Sequence, residues 1–276
     1  MKKYAEARLS GPGDYGGAVA EVLDAIGAAA VLSGVDKVLL KPNLVNASAP
    51  PVTTPAAFCE AVIGYVRKVS RAEITVAEGC GDMRRETPEI FAALGYADMA
   101  GRLGVRLADL NREPLVRVER RENKVFPVIY LPRIAFTHFV ISLPTLKAHS
   151  LAEVTGALKN MMGFAPPKHY GGTCGSWKKA RFHGRMQESI MDLTRCRAPD
   201  LSVMDASRGL ADYHLGGREL SPAPGLVLAG FDAWETDARA CGLLGIDPGR
   251  VAHVARRPDA PGRWPFPPGY AREEAG

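Results

Sequence analysis

The sequence predicts an α/β fold: a mainly parallel sheet with helices on both faces, plus a small hairpin insertion and a long loop. Three observations predict it. Short apolar runs alternate with longer helix-like segments along most of the chain, the order that builds parallel sheets. The 276 residues are 46% hydrophobic, enough for a substantial core. Five of the predicted strands end in polar or charged residues that the fold itself does not need, as strands do where an open sheet binds ligands.

In chain order, residues 4–9 predict a first strand and Gly11-Pro12-Gly13-Asp14 a turn. Residues 18–32 are rich in Ala, Val and Leu without an internal proline, and predict one helix. Residues 37–40 predict a strand cut by Lys41-Pro42-Asn43. Thr53-Thr54-Pro55 predicts a helix start, threonine as N-cap and proline in the first turn, with the helix running to about 69. Residues 73–77 predict a strand ending in Glu78-Gly79-Cys80-Gly81-Asp82. Two short helices near 88–94 and 97–103, a strand at 105–110 and a hairpin over 115–130 follow. The run Phe139-Val140-Ile141-Ser142-Leu143 predicts a buried strand, stopped by Pro144, which has no N–H for the ladder. Residues 151–162 predict a helix carrying Lys159 and Asn160 in an apolar context.

Residues 165–184 are rich in Gly and Pro and predict a long loop, a basic lid over the site. A helix at 185–195, a strand at 201–204 ending at Asp205, a Gly-rich loop at 212–221, a strand at 226–229 ending near Asp232 and a helix at 233–244 complete the core. The expected organisation is a single domain over 1–255 and a Pro-rich extension over 256–276.

Composition narrows the function. No apolar run approaches the ~20 residues of a membrane span, and the N-terminus lacks the apolar segment of a signal peptide. A soluble, cytoplasmic protein is expected. A net charge of +5 without a recognisable module argues against nucleic acid. The five cysteines are scattered and never paired as C-x-x-C, so neither an iron–sulfur cluster nor a disulfide framework is expected.

In a parallel sheet the strand ends share one edge, which would gather Lys41, Asn43, Glu78, Asp82, Lys147, His149, Asp205 and Asp232. Each also has a plainer reading: Asn43 and Asp205 as turn or segment caps, Asp232 as a helix N-cap, Lys41 as a solvated lysine. Lys147 and His149 are two apart, so on an extended strand they point the same way. The lysine would then lower the histidine pKa and keep the ring neutral. Either residue changed to Ala is expected to leave the melting temperature near native.

In order along the chain, KPNLV (41–45), TTP (53–55), EGCGD (78–82), LPTLKAH (143–149), VTGALKNMMGF (154–164) and FDAWETDA (231–238) resemble the bacterial and archaeal family called domain of unknown function 362, over about 36–245. Many of its members append a ferredoxin module, whose cysteine runs are missing here. More remotely, the strand, histidine, helix and lysine layout resembles the N-terminal domain of the nickel-pincer lactate racemase apoprotein. That likeness implies histidines acting as acid and base beside a lysine-tethered cofactor, with His183 or His169 as the second histidine.

The expected function is a biosynthetic enzyme on a small anionic metabolite, catalysing isomerisation, elimination or rearrangement. His149, Lys147, Glu78 and Asp205 would be catalytic, with His149 as acid–base. Lys41, Asn43, Asp82, Lys159, Asn160 and His183 would bind substrate. Two alternatives stay open. One is a divalent-metal enzyme with His149, Asp82, Asp205 and Asp232 as ligands, and the other a non-catalytic accessory protein for a cofactor or iron–sulfur partner.

Overall fold

A computed structural model of the chain describes residues 3–172, 177–267 and 269–273. The chain opens with β1 (Ala5–Arg8), α1 (Tyr15–Ala25), α2 (Ala28–Leu32), β2 (Lys37–Pro42), α3 (Ala56–Val69) and β3 (Glu73–Glu78). Then come α4 (Thr87–Ala93), α5 (Tyr96–Leu103), β4 (Arg106–Asp109), the hairpin β5 (Leu115–Glu119) and β6 (Val128–Pro132), and α6 (Ile134–Thr137). The middle holds β7 (Phe139–Leu143), β8 (Thr145–His149), β9 (Glu153–Thr155), α7 (Ala157–Asn160) and α8 (Pro167–Tyr170). Last are α9 (Met186–Cys196), β10 (Leu201–Leu210), β11 (Leu226–Gly230), α10 (Ala233–Leu243), α11 (Ala252–Ala255) and β12 (Arg272–Glu273).

Among the described residues the main sheet runs β1-β11-β10-β7-β2-β3-β4, with β8 pairing β10 and β9. The pairs β2–β3, β3–β4, β2–β7, β7–β10 and β8–β10 are parallel. β11 is antiparallel to both its neighbours. Side chains alternate between two apolar layers, as a pleat requires. Val38 and Leu40 of β2, Phe139 and Ile141 of β7, and Val203 of β10 join the layer under α1, α3 and α5. Leu39, Val140 and Met204 join the layer under α9, α10 and the hairpin. Burial on both faces explains why these strands read as unbroken apolar runs. The hairpin forms its own three-stranded sheet with β12, so part of the Pro-rich extension is strand.

Four expectations change. The helix expected over 18–32 begins earlier and breaks at Gly27, whose φ of 74° only glycine adopts freely. Thr53 and Thr54 do not cap α3. Thr54 Oγ1 instead accepts the Asn43 N–H and donates to Leu143 O, tying the exit of β2 to the end of β7.

The third change falls over 151–162, where the expected helix is mostly a strand hairpin. Pro144 interrupts the strand without ending it, because the chain re-pairs on β10 as β8. The His149 ring then accepts the N–H groups of Leu151 and Ala152, which bends the chain into a turn, and Glu153 takes a left-handed φ of 64° to enter β9. Only Ala157–Asn160 is α-helical.

The fourth change concerns Asp205, which lies mid-strand in the ten-residue β10 and not at its end. Of the predicted long loop, α8 and a 3₁₀ turn at Ala180–Arg185 are ordered; residues 173–176, Cys174 with them, lie outside the described residues.

Candidate functional site

At the carboxyl edge of β2, β3 and β8 lies an open-mouthed cavity of about 280 Å³. Lys41 and Asn43 reach it from the end of β2, Glu78 from the end of β3, and Lys147 and His149 from β8. Lys159 and Asn160 enter from α7, and Lys179 and His183 from the segment before α9. Trp177, Leu151, and Tyr213, His214 and Leu215 of the loop after β10 complete the wall.

The floor is built from lysines and amides. Lys41 Nζ lies 2.7 Å from Glu78 Oε1 with both side chains buried. Glu78 is held in place by the N–H groups of Leu44 and Gly79, at 2.7 and 2.8 Å. Lys147 Nζ donates to Asn43 Oδ1 and Val52 O, both at 2.6 Å. Asn160 fastens the two halves, accepting from Lys41 Nζ and Asn43 Nδ2 and donating to Lys41 O and Ser142 Oγ. The amides of Asn43 and Asn160 are therefore spent on holding lysines. Gly163 closes this layer: a Cβ there would collide with Glu78 Oε1 and Lys41 Cε.

Glu78 is the one carboxylate among the described residues lining the cavity, and it is matched to Lys41. Lys147 and Lys179 have only neutral oxygen partners, Lys179 donating to Asn111 Oδ1 and Ala165 O. Lys159 makes no hydrogen bond or ion pair among the described residues. Burial, with the Lys41 charge behind it, lowers Lys159 from 10.5 to about 8. Burial likewise lowers Lys179 to about 7 and holds Lys147 well below the ordinary lysine value.

The histidines line the same space. His149 and His214 stack with ring centroids 3.7 Å apart. Burial first, then Lys159, pushes His149 far below 6.5; Lys147, the neighbour expected to matter most, ranks behind both Lys159 and His214. Because Nδ1 of His149 accepts two backbone N–H groups, the proton of the neutral ring sits on Nε2. The ring is thus a hydrogen-bond donor toward the cavity before it is a base. His214 is lowered to about 3, by burial and then Lys159, and its Nδ1 is sealed from solvent without a partner. His183 is lowered for the same two reasons.

Three predicted carboxylates stand elsewhere. Asp205 is bonded to Tyr15 Oη at 3.1 Å and to the Ser207 N–H, on the side of α1. Asp82 caps its own turn through the N–H groups of Arg84 and Arg85. Asp232 caps α10 at Trp234 N and pairs with Arg257, and the antiparallel run of β11 carries it to the opposite edge of the sheet. The four-ligand set of His149, Asp82, Asp205 and Asp232 is therefore dispersed. Among the described residues no three His, Cys, Asp or Glu side chains come together as metal ligands. His169 stacks on Tyr130 at 4.0 Å and does not line the cavity.

Sequence reading passed over His214, Lys179, Trp177 and Tyr213. His214 lies in the Gly-rich loop that follows a parallel strand, which is where the strand-edge rule would have placed a site residue. Lys179 was one of many charges in a basic stretch, and only the fold singles it out. No helix of the described residues is long and apolar enough to cross a membrane.

The solved lactate racemase apoprotein from Thermoanaerobacterium thermosaccharolyticum is similar in fold, with a TM-score of 0.50 at 8% sequence identity. The match covers 80% of this chain and 51% of that one, so the chain spans about half the length of that protein. No curated protein matches the sequence. The family described as domain of unknown function (DUF362) matches residues 38–242, which is most of the chain. With that span and the site residues inside it, the chain belongs to the DUF362 family.

Proposed function

We propose that the protein is an enzyme that binds a small carboxylate or phosphate in this cavity and moves a proton on it. The observation that carries the reading is the charge balance. Lys147, Lys159 and Lys179 converge on one cavity without a carboxylate partner among the described residues, and Lys159 has no partner there at all. Burying unmatched ammonium groups is costly, and a bound anion supplies the missing charge.

The histidines supply the proton chemistry. His149 Nε2–H is a neutral donor suited to a carbonyl or carboxyl oxygen on which charge develops. His214, whose ring makes no hydrogen bond among the described residues, becomes the base once the bound anion offsets the Lys159 and Lys147 charges that help hold its pKa down. The reaction this arrangement serves best is removal and return of a proton on carbon beside a carboxylate, an isomerisation. The lysines would steady the enolate-like charge. Binding by calorimetry at pH 7 tests the foundation: small carboxylates and phosphates bind wild type, and Lys159→Met loses at least tenfold in affinity. Equal binding by Lys159→Met sinks the reading.

A second reading uses the same amine. Lys159 is the lysine left unpartnered among the described residues, and the resemblance to a lysine-tethered system makes it the place for a retained group. The donor chemistry fits an organic group held through an amine and does not fit a metal held by His149 with the three aspartates. Intact mass of protein from a native source separates the two: added mass on Lys159 favours the cofactor, and an unmodified chain favours free substrate.

A further inference from the structure

The cavity has two chemical halves. Its floor is lysine and amide with the histidine rings beside it, and its mouth is apolar. Among the described residues the exposed large apolar side chains are Val31, Met83, Leu151, Trp177 and Tyr213. Three of those five, Leu151, Trp177 and Tyr213, line this cavity. They come from three separate places: the β8–β9 turn, the segment before the 3₁₀ turn, and the loop after β10. Single exposed apolar residues are ordinary, but several converging on one concave rim mark a surface kept for a ligand. Leu215 and Met186 extend the same wall inward.

Resting on the anion-binding reading above, we infer that the ligand is an amphiphilic acid: a carboxylate or phosphate head on the lysine floor, with an apolar chain or ring directly attached and packed against Leu151, Trp177 and Tyr213. The volume of about 280 Å³ sits at the lower limit of the ~300–1,000 Å³ of small-molecule sites. That size suits a metabolite with a short chain or a single ring. Among the described residues no arginine lines the cavity, so the head is gripped by point charges and not by a planar fork. Affinity for different acids therefore depends on the tail more than on head geometry.

Calorimetric titration of the full chain with straight-chain monocarboxylates of two to eight carbons, and with the matching monoalkyl phosphates, tests this. Affinity should climb by about fourfold for each methylene that reaches the apolar wall, and then level off. The double variant Leu151→Ser, Trp177→Ala should flatten that slope, with its melting curve confirming that it folds. Lys159→Met should lower the whole series while keeping the slope. If short acids bind but chain length changes nothing, or if the double variant keeps the wild-type slope, the amphiphilic assignment is overturned and the anion site stands. If no acid of either series binds, both fall together. Comparison of the carboxylate and phosphate series identifies which head group the floor prefers.

Discussion

At the scale of single residues, His149 both holds a backbone turn and lines the cavity. Its Nδ1 takes the N–H groups of Leu151 and Ala152 at 3.0 and 3.2 Å, so removing the ring leaves two donors without a partner. His149→Ala should therefore cost on the order of 1–3 kcal/mol, against the near-native stability that sequence alone suggested. The sequence identified the residue and its edge of the sheet. It could not reveal the tautomer, because that depends on a turn hidden in what reads as a helix. The ring should stay neutral with its proton on Nε2 from pH 5 to 9. Long-range ¹⁵N–¹H correlation spectra will show this, and a titration near 6.5 or an Nδ1–H pattern would refute it. Both stacked rings have folded pKa values below the ordinary 6.5. Below pH 6.5 the unfolded chain then holds protons that the folded chain does not, so these rings make stability fall as pH drops.

Among elements, the short α7 is placed by contacts from distant parts of the chain and not by its own propensity. Four residues are too few for a helix to stand alone. Asp237 of α10 accepts the N–H groups of Ala157 and Leu158 at 2.7 and 3.0 Å, fixing the start of the turn that presents Lys159. Gly156 leaves room for that carboxylate, and Gly163 leaves room for Lys41 and Glu78. This is why the segment misled sequence reading: its apolar spacing is helical, but its glycines mark close approaches that no local pattern announces. The strands were easier, since β2, β3 and β7 carry their burial in their own composition. Gly163→Ala follows as a direct probe. The added methyl collides with the Lys41–Glu78 pair from the inside of the cavity floor, and overpacking of this kind costs about 1–3 kcal/mol. Chemical denaturation should show that loss together with weakened anion binding, whereas Gly64→Ala, where a Cβ meets nothing within 4 Å, should show neither. A stable, fully binding Gly163→Ala protein would mean the floor is looser than drawn.

Across the whole molecule, the parallel run of β2, β3, β7 and β8 explains why Lys41, Glu78, Lys147 and His149 share one edge, and the reversal at β11 explains why Asp232 does not. Strand direction is a long-range property, invisible in the run at 226–229, so that aspartate could not be sorted from the others by sequence. The fold thereby concentrates lysines at one place with Glu78, paired to Lys41, as the one carboxylate among the described residues there. Such a site stores instability that a ligand relieves. Lys159 measures it most cleanly, because among the described residues its ammonium has no partner to lose. Its folded pKa of about 8 lies below the ordinary 10.5, so between those values the unfolded chain carries a proton that the folded chain has released. The burial cost is thus fully present below pH 8 and fades as pH rises toward 10.5. Lys159→Met should stabilise the anion-free protein at pH 6–7 by on the order of 1–3 kcal/mol, worth about 2–4 °C in melting temperature for each kcal/mol. The gain should shrink by pH 10. Wild type should recover the difference when a binding anion is added, since ligand at a hundred times its dissociation constant contributes about 2.7 kcal/mol, while the variant should not respond. Melting curves for both proteins over pH 6–10, with and without anion, decide it: a Lys159→Met protein that melts lower than wild type in anion-free buffer would show that the lysine is compensated in the empty cavity.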